Sequence, residues 1–258
     1  MGKALLIFLL FCSSLASAQD ADVRERIKKA HYYKEITYEL IDSNRRVTSI
    51  TYYDTLGRIT NNTHTWFFKI EGSSKTAHEK YSNAYSYNDS GNLVKIITSF
   101  DIHYLPHTTT FIYNKKGYLI FKTYSSGRTP ITTEYIYNKH GVLVRKNVRT
   151  YRDINGKAIP AFETKTFKYD TRNNLSEELD YRCNHKGKHR ILTGIIHSFY
   201  DNNNKKVRVV EDDAKGNIVR TETYTYNSDD LVNSETVITT ESTRRYITEW
   251  SRYGVSSP

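Results

Sequence analysis

The sequence predicts an all-β fold: an antiparallel meander of repeated β-hairpins forming one long, twisted or curled sheet, with a short N-terminal helix. Three observations carry this reading. An aromatic–Asn–x–x–Gly–x–aliphatic phrase recurs, as in Tyr87-Asn88-Asp89-Ser90-Gly91, Tyr113-Asn114-Lys115-Lys116-Gly117 and Tyr137-Asn138-Lys139-His140-Gly141. Turn signals return roughly every 10 to 17 residues between Asp42 and Asp230, a spacing that suits hairpins. The segments between them are rich in Thr, Tyr, Ile and Val, the residues that fit a pleated sheet surface.

Taken in order, the chain opens with a signal-peptide pattern over residues 1–18. One lysine, an apolar run from Ala4 to Cys12 and Ala16-Ser17-Ala18 before Gln19 are the marks of export and cleavage. The apolar run is shorter than the roughly 20 residues needed to span a bilayer. Phe11 before Cys12 fits a lipid-anchored cysteine poorly. The expectation is therefore an exported protein: periplasmic, outer-membrane-associated or secreted. Cleavage would leave Cys183 as the only cysteine, so the fold must stand on packing and hydrogen bonds.

Residues 19–35 form an N-terminal segment in which Asp20 to Ala30 reads as helix, with Val23, Ile27 and Ala30 on one face. Residues 36–258 form the repeat domain. In each copy Asn or Asp suits the first position of a type I turn, where its side chain caps the backbone two residues on. The fourth-position glycine (Gly91 after Asn88, Gly117 after Asn114, Gly141 after Asn138) accepts the left-handed conformation and closes a three-residue loop with a bulge. In weaker copies Asn173 and Asn204 stand in for it. Counting outward from the turn sets Tyr53 opposite Ile59, Tyr87 opposite Leu93, Tyr113 opposite Leu119 and Tyr137 opposite Leu143. Aromatic–aliphatic pairs of this kind are worth about 0.2–1 kcal/mol each. The count comes to about fourteen strands, at spacings typical of hairpin arrays. An outer-membrane barrel is the lesser alternative, because Lys95, Lys122, Glu134, Arg145 and Lys146 interrupt both registers where a lipid-facing band would be apolar.

The phrase at residues 50–60, Ile-Thr-Tyr-Tyr-Asp-Thr-Leu-Gly-Arg-Ile-Thr, resembles the YD repeat of RHS-type proteins. The resemblance covers residues 36–236 as degenerate copies, closest at 50–60, 85–94, 111–120 and 135–144. It implies hairpins wound into a β-sheet spiral or shell, with carbohydrate binding or the casing of a toxin among family roles. The Asp-Pro motif of the family's self-cleaving core is missing from the sequence, so neither autoproteolysis nor toxicity is carried over.

The net charge of +10 is scattered and interleaved with carboxylates, which suits a solvated surface or attraction to acidic polymers better than nucleic acid. Cys183, His185 and His189 are zinc-competent, but a repeat turn already explains Asn184 and Gly187 and two lysines intervene. No metal or other cofactor is therefore expected. Glu177 and Glu178 point to opposite faces of a strand and cannot converge as a glycosidase pair. Neither a nucleophile elbow nor a phosphate loop occurs. The expectation is a non-catalytic binding or scaffold module at the envelope, for glycans or acidic polymers, with Tyr53, Tyr87, Tyr113 and Tyr137 as a stacking ladder. The alternative is a structural or assembly partner of another envelope or secreted protein, which exposed strand edges or the curled sheet would hold.

Overall fold

The structure, a computed structural model, describes residues 21–41, 44–69, 76–101, 105–126, 129–154, 157–183 and 189–252. The expected signal peptide and His185 lie outside them. Among the described residues helix α1 (Ala21–Lys29) is followed only by strands. These are β1 (Tyr32–Ile41), β2 (Asn44–Tyr53), β3 (Ile59–Lys69), β4 (Thr76–Tyr87), β5 (Leu93–Phe100), β6 (His107–Tyr113), β7 (Leu119–Ser125) and β8 (Ile131–Tyr137). The second half comprises β9 (Leu143–Ile154), β10 (Lys157–Tyr169), β11 (Leu175–Cys183), β12 (Arg190–Tyr200), β13 (Lys206–Asp213), β14 (Ile218–Tyr226), β15 (Val232–Thr239) and β16 (Thr243–Arg252).

Each strand pairs antiparallel with its neighbours in sequence, and β1 pairs with β16, so the meander closes into a 16-stranded barrel. The expected long, twisted or curled sheet is thereby corrected. All-β and meander hold, but the sheet is closed and has sixteen strands rather than about fourteen. The lysines and glutamates that argued against a lipid-facing barrel say nothing about closure, which backbone pairing decides. Closure also leaves no free strand edge among the described strands, which removes the edge-pairing route to a partner protein.

The local chemistry is that of the repeat. Gly57, Gly91, Gly117, Gly141 and Gly216 have φ between 72° and 84°, and Asn173, Asn204 and Asp230 adopt 61–66° at the same turn position. In the 88–92 turn, Asn88 Oδ1 accepts from the Asn92 amide at 2.8 Å while the Gly91 amide donates to the Asn88 carbonyl at 2.8 Å. Immediately after each such turn the register shifts by one residue, as between Ile112/Tyr113 and Ile136/Tyr137. The tyrosine still faces its aliphatic partner: Tyr53 Ile59, Tyr87 Leu93, Tyr113 Leu119 and Tyr137 Leu143.

The tyrosine-bearing face is the concave one. On β6, Phe111 is 5% exposed and its outward neighbour Ile112 is 53% exposed. On β7, Lys122 is buried while Phe121 is exposed. A sixteen-stranded barrel is wide enough to leave an aqueous lumen. Its apolar clusters accordingly run along the wall. One gathers Leu93, Ile96, Phe111, Leu119 and Tyr135 from β5 to β8. The other packs Ile27 of α1, fully buried, against Tyr32, Tyr53 and Leu231, with Ile59 and Trp250 beside them. Tyr53, Ile59 and Trp250 belong to the concave face, so α1 sits inside the mouth at the tight-turn end.

Candidate functional site: the barrel lumen

At that mouth the repeat tyrosines form a belt. Tyr87 Oη donates to the Ile59 carbonyl at 2.8 Å, Tyr113 to Leu93 at 2.8 Å and Tyr137 to Leu119 at 2.9 Å. Tyr169, Tyr200 and Tyr226 continue it onto the carbonyls of Leu143, Leu175 and Lys206 at 2.8, 3.1 and 2.6 Å. Every acceptor is the residue paired with the preceding tyrosine, so each hairpin is tied to the one before it. Trp250 takes the tyrosine position on β16, its Nε1 donating to the Val232 carbonyl at 3.2 Å. Tyr53 donates to Glu35 at 2.5 Å and stacks on Trp250 with ring centroids 6.0 Å apart, which carries the belt across the β16–β1 seam. Burial, with Asp54 nearby, pushes the Tyr87 hydroxyl up to about 12, and burial raises Tyr113 and Tyr137 as well. These hydroxyls stay protonated and donating at neutral pH.

Helix α1 is held in the mouth by Arg26, which donates to the Asp230 carbonyl at 2.8 Å, and by the packing of Ile27; just after the helix, Tyr32 of β1 donates to Asp229 at 2.7 Å. The backbone of α1 lies so close to the β2/β3 turn that a Cβ on Gly57 would stand 2.3 Å from the Arg24 carbonyl oxygen. His31 closes the helix in the left-handed conformation, φ 56°.

Deeper in the lumen, β3 to β7 present an aromatic and amide wall. His64 stacks on Tyr81 (ring centroids 4.9 Å apart), Tyr81 meets Phe100 at a tilt (6.0 Å), and His107 meets Phe100 (4.8 Å) and Tyr124 (5.4 Å) edge to face. Asn83 links this wall together, donating to Asn62 Oδ1 at 2.8 Å and accepting from Thr98 at 2.6 Å. Burial holds His64 at about 4 and lowers His107, so both imidazoles are neutral at pH 7.

Further round, the charge is sorted by sector. Lys122 on β7 and Lys146 on β9 face the lumen from positions paired with Phe111 and Tyr135. Burial, with Lys146 as neighbour, brings Lys122 down to about 8, and burial lowers Lys146. Lys165 on β10 pairs with Glu178 at 2.5 Å and Asp180 at 2.8 Å. Beyond it lie Glu211, Glu222 and Glu235, with Arg220 paired to Glu222. Burial, then the charge of Glu222, raises Glu235 to about 7, and burial raises Glu211.

The sequence-singled tyrosines Tyr53, Tyr87, Tyr113 and Tyr137 thus share one face and one belt, with their hydroxyls engaged in the barrel wall. Asn88, Gly91, Asn114, Gly117, Asn138 and Gly141 make the turns beneath them. Cys183 is buried on the convex side against Thr164 Oγ1, at 3.5 Å. No group of three or more metal-competent side chains occurs among the described residues. The aromatic wall and the two lysines escaped sequence reasoning, although the lysines were noticed as breaks in an apolar pattern.

Together these features define a class: a closed up-and-down β-barrel with a polar, charge-sorted lumen and a helix in one mouth. No protein-family model and no curated protein sequence matches the chain. Among solved structures it resembles a porin-like protein from Bacteroides uniformis, with 14% identity, a TM-score of 0.53, and coverage of 85% of this chain and 98% of that one. A porin-like protein from Bacteroides vulgatus aligns over 87% of this chain and all of its own, with 10% identity and a TM-score of 0.49. At such identities the likeness concerns the fold alone.

Proposed function

We propose that the protein is an exported, non-catalytic barrel of the cell envelope that binds a glycan polymer within its lumen. The observation that carries this reading is the wall from His64 to Tyr124. It combines aromatic rings, amides and hydroxyls on a concave surface, the mixture that stacks on sugar rings and hydrogen-bonds their hydroxyls. The signal-peptide pattern and the porin-like fold support an envelope location. The resemblance to YD repeats fits a role of the repeat as architecture, with its tyrosines framing the mouth and the wall beyond them meeting the ligand.

The barrel stands in water on this reading. A lipid-facing barrel needs an outward apolar band. The convex face here interrupts exposed apolar residues such as Ile112, Phe121 and Phe199 with Lys95, Glu134, Arg145, Lys168, Glu177 and Arg208. The test is binding of the mature protein to neutral and acidic polysaccharides, with Tyr81→Ala and Phe100→Ala as lumen variants, alongside a liposome flotation assay. Saturable binding that the two variants weaken at least tenfold supports the reading. Stable variants that bind like the parent, or a parent that floats with plain phospholipid vesicles, would overturn it.

A further inference from the structure

Resting on the lumen reading just given, we infer that the polymer is acidic, and that its carboxylate is taken up by Lys146 together with Lys122 on the concave wall. The two lysines belong to β7 and β9 with only β8 between them, Lys122 opposite Thr133 and Lys146 opposite Tyr135, so two strand spacings sideways and two residues along the strand put their backbones about 12 Å apart. That span is within reach of two four-carbon side chains converging on one anion. Both project from the concave face. Lys122 pairs across the sheet with Phe111 and Thr133, and Lys146 with Tyr135 and Lys165.

Their surroundings are aromatic. Lys146 Nζ lies 5.4 Å from the Tyr135 ring centroid and 5.1 Å from that of Phe167, while Lys122 Nζ lies 6.0 Å from the Phe111 centroid. Among the described residues no carboxylate stands within ion-pair distance of Lys146. Glu178 and Asp180 act on it only from farther off, one oxygen of each being engaged by Lys165. Lys165 bonds two acids at once, which leaves Lys146 as the cation next in line toward the aromatic wall. Two ammonium groups held on a half-dry wall repel one another, and each keeps its charge at a cost. An anion bridging them removes that repulsion and is itself desolvated by the surrounding rings.

The ligand chemistry follows from the two neighbouring sectors. The aromatic and amide wall ending at Tyr124 continues directly into Lys122, two residues earlier on β7. A polymer lying along that wall would therefore bring a substituent of its sugar ring to the lysines. A uronic-acid carboxylate has the charge, the planarity and the reach. The acidic sector beyond Lys165 repels such a polymer and confines it to the β3–β9 arc. Binding has a proton signature as well. Lys122 sits near 8 when the site is empty, and a carboxylate beside it raises that value, so complex formation near pH 8 takes up protons.

The experiment uses the mature full chain, polygalacturonate as acidic probe and galactan as neutral probe, by calorimetry in buffers of different ionisation enthalpy at pH 8. The expected result is tighter binding of polygalacturonate, a fall of at least tenfold in Lys146→Met, and no change for galactan in that variant. Lys146→Arg, which keeps the charge, retains binding. Lys122→Met loses the proton uptake. Lys95→Met, on the convex face, is the control for attraction by net charge. A Lys95→Met loss equal to that of Lys146→Met, or an unaffected Lys146→Met, would overturn the site. Equal binding of galactan and polygalacturonate by parent and variants would overturn it too, while leaving the lumen reading intact. Binding of neither polymer would remove the lumen reading and this inference with it.

Discussion

Gly57 and Gly91 occupy the same turn position with nearly the same backbone, φ 72° and 76°, and differ only in what lies above them. Alanine at either site carries the strain of a left-handed L-residue, about 1–2 kcal/mol. At Gly91 the new methyl meets nothing within 4 Å. At Gly57 it would stand 2.3 Å from the Arg24 carbonyl oxygen and 3.2 Å from the Lys28 amide nitrogen, both backbone atoms of α1. Only the Gly57→Ala variant must therefore push the helix out of the mouth. Ile27 is fully buried there, and exposing a side chain of its size costs about 2–3 kcal/mol. Gly57→Ala should thus be the less stable variant by that margin. In a chain of this length 1 kcal/mol moves Tm by about 2–4 °C, which makes the gap about 4–12 °C. Thermal unfolding of both variants measures it. Limited trypsinolysis gives a second reading, because Arg24, Arg26 and Lys28 become cleavable only where the helix is displaced. Equal melting temperatures together with equal tryptic patterns would refute the docking of α1 against the β2/β3 turn.

Two further outcomes are expected. Tyr113→Phe deletes one donor of the belt and leaves the Leu93 carbonyl without it, a loss of about 1 kcal/mol. Lys116→Ala, in the turn below, should cost much less, and denaturant midpoints that coincide for the two would count against the belt. Glu235 titrates at about 7 in the fold against an ordinary 4.5, so between those values the folded state holds the extra proton and stability falls as pH rises. This one carboxyl accounts for on the order of 3 kcal/mol. Glu35 and Glu211, both raised by burial, add in the same direction. Asp170, Asp213 and Asp230 are held low, chiefly by hydrogen bonds from Asn174, Asn217 and Lys205, and their contribution is lost only as the medium turns more acidic. His64, held at about 4, and His107 act in the opposite sense, because below pH 6.5 it is their unfolded forms that bind the extra proton. The Glu235 contribution is therefore read as a difference: the Tm of the parent should fall relative to that of Glu235→Gln between pH 5 and 7.5, and a difference that stays level or climbs over that range would refute the assignment.

Much of the hairpin chemistry was legible because it is local. An Asn or Asp followed three residues later by Gly dictates a turn from side-chain reach and φ alone. The count outward from that turn gives the same tyrosine–aliphatic pairs as the register of the barrel. The same holds for α1, whose bounds the sequence places within a residue or so at each end. Closure was not legible in this way. It rests on β1 meeting β16, a pairing more than two hundred residues apart in sequence, and no composition or spacing encodes it. One clue lay in the residues themselves. Trp250 stands where the next tyrosine of the series would stand, on the last strand. Its indole nitrogen fills the role of a tyrosine hydroxyl while its ring packs on Tyr32 and Tyr53 of the first two strands.

The lumen was hidden for a more specific reason. Simple alternation from Leu93, Leu119 and Leu143 puts Lys95, Phe121 and Arg145 on the tyrosine face, and Ile96, Lys122 and Lys146 outside. The bulge that closes each turn inserts one residue, and one residue is enough to exchange the two faces of a strand. In the barrel Leu119 pairs with Tyr113, but Phe121 pairs with Ile112 and Lys122 with Phe111. The same shift follows Leu93 and Leu143. Seen without the bulge, the charges break both registers and look like noise on a solvated sheet. Seen with it, Lys95 and Arg145 fall on the convex face, and Lys122 and Lys146 turn inward beside Phe111 and Tyr135. The turn that makes the repeat recognisable is thus also the device that moves its cations into the lumen, and any reading of function from such repeats has to carry the bulge through the count before assigning a face.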